Sequence, residues 1–504
     1  MNENQQPPET SQAPFLLSNS LSLVGTILAI CSFLTVLALM YIDSVRGFAN
    51  PYMSVFTYQI VPGGLITGLL LIVVGVRREH RRRHAAISPG PTPLPRIDLN
   101  VPRQRRAFVS VVVVTFLFLI FTAIGTYRTY HFTESVQFCG LLCHSVMKPE
   151  YTLYMRSPHA RVVCTECHVG PGASWFVQSK ISGMYQIYST MAEKHSRPIP
   201  TPIENLRPAR ETCEECHWPQ KFSGSVERVR THFRPTEKND PWTIRLLLKV
   251  GGGDPTQGPV TGIHWHMSPT NRVEYIATDK ARHDIPWVKV TEQSGAVTVY
   301  EIKGKKLSPA DTSKAEVRLM DCLDCHNRPT HIYQTPNKAM DTALLAGRID
   351  PIVPFIKKNA VQALMESTKN AKTEAEGLAQ IETKLKADYA TYQDQKKVQS
   401  AIAEVKSVFS GNIFPEMKAN WRSYPDNIGH SLWPGCIRCH DGEHVSADGK
   451  TISHECNACH IIIGQGPGRE PAAISAKGLE FDHPGGEIGK DAMCSNCHSG
   501  ALVE

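Results

Sequence analysis

Seven times this chain places a histidine directly after the second of two closely spaced cysteines. That repetition constrains the fold more than any hydrophobic stretch does. The seven are Cys139-Gly-Leu-Leu-Cys143-His144, Cys164-Thr-Glu-Cys167-His168, Cys213-Glu-Glu-Cys216-His217, Cys322-Leu-Asp-Cys325-His326, Cys436-Ile-Arg-Cys439-His440, Cys456-Asn-Ala-Cys459-His460 and Cys494-Ser-Asn-Cys497-His498. They use fourteen of the 15 cysteines and leave only Cys31. A disulfide framework has no need of the adjoining histidine, and neither has a zinc half-site. C-x-x-C-H is the attachment signature of c-type haem. The two thiols bond to the porphyrin edge, and the histidine reaches one axial face of the iron. The first motif has three residues between its cysteines, and a longer loop still bridges the same two attachment points. Its place at the head of the series puts it with the others, so seven covalently bound haem c groups are expected.

Three apolar runs precede the motifs, at 19–42, 53–76 and 107–128. Each has the length of about 20 residues that a bilayer demands. Between the second and third lies "RREHRRRHAAISPGPTPLPRIDLNVPRQRR", residues 77–106, short and strongly basic. By the positive-inside rule it is cytoplasmic, and its membrane flanks account for the charge without invoking nucleic acid. Residues 43–52 and everything after about 128 are then expected outside. This places the chain in a bacterial cytoplasmic (inner) membrane, with its haem part in the periplasm. The first fourteen residues hold no Lys or Arg, a poor start for a cleaved signal, so the first run is expected to be retained. Cys31, inside it, reads as a small apolar filler.

The expected fold is therefore a multihaem cytochrome c. Residues 1–128 form a three-helix transmembrane anchor. A tetrahaem domain follows at 129–335, mostly helical or irregular. Within it, 223–310 has no motif but carries "TIRLLLKV", "RVEYIAT" and "VTVYEIKG" between Gly- and Pro-rich turns, which predicts a small antiparallel β insert. Residues 336–410 predict a helical scaffold, since Leu378, Ile381, Leu385 and Tyr389, then Val398, Ile402 and Val405, recur three and four apart. A trihaem region closes the chain at 411–504.

Each haem also needs a second axial ligand. The motif histidines His168, His217, His326, His440, His460 and His498 are expected on one face of their irons. For the other face the nearest candidates are His159, His195 and His331, each close to a motif, with His430 and His444 flanking Cys436–His440. His264 and His266 in "GIHWHM" either ligate an iron or pack within the β insert.

The segments "CHSVMKPEY", "SPHARVVCTECHVGPG", "KHSRPIPTPIENLRP" and "TCEECHWPQKF", within residues 138–222, resemble the NapC/NirT family of membrane-anchored multihaem quinol dehydrogenases. The resemblance covers roughly 130–335. Three helices ahead of that core and three motifs behind it are most similar to the seven-haem inner-membrane cytochromes of metal-reducing bacteria. The resemblance implies menaquinol as substrate. It implies the menaquinone pool and periplasmic cytochromes or a reductase as partners, in anaerobic respiration. It also implies that the first haem faces the quinol and takes Met147 as axial ligand in place of the motif histidine. Lys180, twelve residues after His168, matches a basic residue near the quinol. Its usual acidic companion is replaced by Ile187, and Glu193 is the nearest substitute. The first motif departs from the family, which has two residues between those cysteines and the Met two after the His.

Elementary chemistry points the same way. Quinol is confined to the bilayer and releases two electrons and two protons, while each haem accepts one electron. Oxidation needs a haem at the membrane face, a second haem nearby and a proton acceptor, a role suited to a partly desolvated lysine. Two other readings fit the motifs. One is an electron-wire subunit whose partners belong to a larger membrane complex. The other is a terminal reductase of a small oxyanion at an open haem within 436–498.

Overall fold

The computed structural model describes residues 19–46, 53, 56–85, 98–142, 144–170, 172–203, 207–256, 260–471, 474–484 and 486. The motif at 494–498, Cys143 and the side chain of His144 lie outside the described residues. The chain divides into two compact units, Met1–His144 and Ser145–Glu504.

The first unit holds three long helices, α1 (Ser20–Arg46), α2 (Val61–Ala85) and α3 (Pro102–Thr133). Each contains a stretch long and apolar enough to cross a membrane: Ser20–Ile42, Val61–Glu79 and Pro102–Thr133. The second starts later than the apolar run at 53–76, after a π-helical turn Phe56–Ile60. Pro62 explains the start, because proline suits the first turn of a helix, where its missing N–H is not needed. At the other end α2 runs on through the arginines to Ala85, since Arg and Glu are good helix formers. α1 and α2 meet through small residues. Ser22, Ala29, Ser32 and Val36 are buried on α1. A Cβ added to Gly25 would lie 2.6 Å from the Gly68 carbonyl oxygen, and one added to Gly68 would lie 2.7 Å from the Ala29 nitrogen. Backbones that close need glycine, the usual solution where helices pack in lipid. Gly64, Gly68 and Gly75 of α2 thus have a packing role, and Gly63 does not.

The second unit is organised around four helices, Pro336–Leu345, Ile356–Asn370, Glu374–Asp388 and Gln395–Asn412. Three have side-chain caps, from Thr335, Thr373 and Asp394. Ile381, Leu385, Tyr389, Val398, Ile402 and Val405 are buried in one core with Met340, Leu344, Leu364 and Phe409. Lys357 is fully enclosed and ion-paired to Asp341. The second Asp341 oxygen accepts from the imidazole of His232 at 3.1 Å.

The unit also holds two antiparallel sheets. Their strands are β1 (Ser225–Phe233), β2 (Pro241–Lys249), β3 (Arg272–Ile276), β4 (Trp287–Thr291), β5 (Val297–Ile302), β6 (Arg318–Leu319), β7 (His444–Ser446) and β8 (His460–Pro467). Their orders are β1-β2-β8 and β6-β3-β4-β5-β7. Neither sheet closes within 223–310. β8 pairs Leu248 with His460, and β7 pairs Ile302 with His444, so strands from the C-terminal region complete both. The scaffold lies between those strands in sequence and brings them together in space.

Candidate haem centres

Among the described residues the second unit holds five motifs, each on one tight turn. Cys164–His168 and Cys456–Cys459 are single helical turns, as is Cys322–Cys325. Cys436 and Cys439 span the 3₁₀ turn Gly435–Arg438, and Cys213 ends the helix Ala209–Cys213. Spacing of three residues on a turn sets both thiols on one face. None of the described cysteines is in a disulfide. Among the described residues no three His, Cys, Asp or Glu side chains converge on a metal-ion site.

Opposite each of these motif histidines stands a second imidazole. Ring centroids are 6.5 Å apart for His168 and His331, 6.0 Å for His217 and His159, 6.4 Å for His326 and His264, 5.9 Å for His440 and His266, and 6.2 Å for His460 and His430. A metal holds an imidazole nitrogen at about 2 Å and its ring centre at about 3 Å, so two imidazoles on opposite faces of one iron stand about 6 Å apart. Every pair joins one motif histidine to one histidine from elsewhere. The residues present therefore fit haem iron.

Orientation agrees. The Nδ1–H of His264 donates to the Val250 carbonyl and that of His266 to the Ile263 carbonyl, both at 3.0 Å. His331 does the same to Glu150 O at 3.0 Å, and His440 to Ser453 O at 2.6 Å. A backbone acceptor on Nδ1 fixes the tautomer and leaves Nε2 for a metal. Burial lowers the pKa of His168, His264, His266, His326, His331, His430 and His460. Each is thereby held in the neutral form that ligation requires.

The sequence left the pairing open, and the nearest motif is not the one each histidine faces. His331 follows the Cys322–His326 motif but faces His168. His159 precedes Cys164 but faces His217, and His430 precedes Cys436 but faces His460. His444 faces no motif. It is fully buried, with Nδ1 on Asp441 Oδ1 at 2.9 Å and Nε2 on Ile285 O at 2.7 Å, so both ring nitrogens are committed. Burial alone would lower its pKa, but the Asp441 carboxylate outweighs that and raises it. His444 locks β7 to the sheet and is not a ligand. His195 accepts a hydrogen bond on Nε2 from Arg197 at 3.0 Å, and no described motif histidine faces it. His264 and His266 carry no signal in local sequence beyond two histidines flanking one tryptophan.

The first-motif residues fall elsewhere. Cys139 is half-buried in the π-helical turn Phe138–Leu142 of the first unit. Met147 is half-buried on the helix His144–Tyr154. Lys180 lies on the helix Ala173–Met191, its Nζ over the Phe176 ring at 4.7 Å. Glu193 follows that helix, exposed, with a left-handed φ of 52°.

The family model described as NapC/NirT cytochrome c family, N-terminal region, matches residues 101–199. A protein of Geobacter sulfurreducens, the cytochrome c-type protein ImcH, is 43% identical over 496 residues, covering 97% of this chain and 96% of that one. No solved structure matches. The chain belongs to the NapC/NirT family of membrane-bound c-type cytochromes. Covalently bound haem c is accordingly its cofactor, electron transfer its work and the inner membrane its location. The family implies a quinone pool and a periplasmic redox partner.

Proposed function

We propose that this chain is a seven-haem menaquinol dehydrogenase. It oxidises menaquinol at the outer face of the cytoplasmic membrane and passes electrons to a periplasmic cytochrome or reductase. The helix Ala173–Met191 carries the reading. Val177, Ile181, Met184, Tyr185, Tyr188 and Met191 all expose apolar side chains, Met191 to 82%. Spaced three and four apart, they form one stripe, the signature of a helix lying in a membrane interface. Lys180 stands at the edge of that stripe, where a quinol headgroup would lie.

Bound haem supplies one-electron acceptance and donation. The protein's part is to hold and orient. The five imidazole pairs would hold five of the irons, which would leave no open position for a small oxyanion at those motifs. Met147, three residues past His144, would help hold the first haem, and a weakly held face there would leave room for the quinol. Lys180 would hydrogen-bond to and orient the quinol oxygen, and the exposed Glu193 beyond the helix end would carry released protons to water.

Met147→Ala and Lys180→Ala test the assignment. Quinol-driven haem reduction is expected to slow by at least about tenfold in each, below the usual reach of acid–base assistance, while dithionite still reduces the haems. Wild-type rates in both variants would overturn it.

A further inference from the structure

His264 and His266 are two residues apart, yet they face different motifs. His264 lies against His326 with the rings within 3° of parallel, and His266 lies against His440 at 87°. Two residues of backbone span at most about 7 Å, so both imidazoles hang from one mount.

That mount is rigid. The 3₁₀ turn Trp265–Met267 follows a glycine-lined approach to the end of β2. Gly252 N–H donates to Thr261 O at 2.6 Å, Ile263 N–H to Lys249 O at 2.9 Å and His264 N–H to Val250 O at 3.1 Å. Gly251 and Gly262 have φ of 51° and 83°, and a Cβ on Gly251 would meet the Thr261 oxygen at 1.6 Å. Trp265 packs on the core of Val273, Tyr275, Ile285 and Val288, and Met267 is buried. Asn271 donates to Trp265 O at 3.0 Å. The attachment sites converge as well, since Cys325 lies within electrostatic reach of both Cys436 and Cys439.

We propose that His264 and His266 are the distal ligands of two different haems, those attached at Cys322–His326 and Cys436–His440, so that one turn clamps the fourth haem of the chain beside the fifth. His326 and Cys436 are far apart in sequence, with the whole four-helix scaffold between them. The turn supplies the short connection that the sequence between them does not. The proposal rests on the haem reading of the motifs and is independent of quinol oxidation.

The ring angles give each haem its own mark. Near-parallel axial imidazoles produce a rhombic low-spin ferric signal in electron paramagnetic resonance, and near-perpendicular ones a strongly anisotropic signal with a large maximum g. The experiment uses the full-length, haem-loaded chain in detergent, oxidised, as wild type, His264→Met, His266→Met and the double variant. Methionine keeps a ligand on the iron but raises the potential. His264→Met should remove one haem's share of rhombic signal, and His266→Met one haem's share of the large-g signal. The double variant should lose both, and each substitution should raise the potential of one haem. An unchanged spectrum in His266→Met, or loss of the same signal in both single variants, would overturn the proposal. Should the methionine variants not accumulate, His264→Gly and His266→Gly are examined with added imidazole. Recovery of the missing low-spin signal supports ligation, and failure to recover it with haem content intact contradicts it. Wild-type protein lacking haem at either motif would overturn the reading beneath. A wild type inert to quinol leaves these signals in place, so the two readings fail separately.

Discussion

The helices between Pro336 and Asn412 and the motif-bearing segments around them fill their interiors differently. In the helices, Met340, Leu344, Leu364, Ile381, Leu385 and Phe409 enclose one another almost completely. In contrast, the turns Cys164–His168 and Cys456–Cys459 bury no residue, and Cys322–Cys325 buries only Asp324. One region has an apolar core of its own side chains. The other presents paired imidazoles beside thiols, with few buried apolar side chains between them. A sequence can therefore look poor in core residues and still specify a fold, provided a cofactor supplies the missing apolar surface.

The sharpest way to break that contrast is to withhold haem. The chain produced without haem attachment should be cut first by protease within 207–330 and 413–486, while Pro336–Asn412 survives longest. Digestion that spares the motif segments equally would contradict the contrast. Next in size is Lys357→Ala. It leaves Asp341 buried without its cation, and loss of a buried partner costs about 3–5 kcal/mol, read as a lower denaturant midpoint of the haem-loaded protein. Leu385→Ala empties part of the helical core and should cost about 2–5 kcal/mol in the same measurement, with the haem spectra unchanged. The smallest effect belongs to Glu150→Gln. A Glu150 carboxylate oxygen lies 3.1 Å from Nδ1 of His331. Its negative charge favours ferric iron, so removing it should raise one haem potential by roughly 60 mV, the one-electron equivalent of tenfold. A shifted denaturation midpoint with unmoved potentials would assign Glu150 a structural part instead.

Much of this was legible in the sequence, and the remainder was hidden for a physical reason. The motifs declare themselves because attachment needs two thiols and a histidine on one turn. The apolar runs mark α1 to α3, and periodicity marks the buried faces of the scaffold. Distal ligands are different. Here three histidines that lie close to one motif in sequence, His159, His331 and His430, stand opposite the histidine of another. Closeness in sequence thus does not say which motif histidine a second imidazole will face. Sheet closure by β7 and β8 was equally hidden, because pairing between segments so distant in sequence leaves no local trace. His444 shows the converse, a histidine beside a motif that serves hydrogen bonding alone.

The most direct test of the central claim is anaerobic stopped-flow spectroscopy of the detergent-purified chain mixed with a menaquinol analogue. The account predicts rapid reduction of the haem bands, blocked by a quinol-site inhibitor. Reduction by dithionite but not by quinol would contradict it, and would leave the chain as a wire fed by a partner.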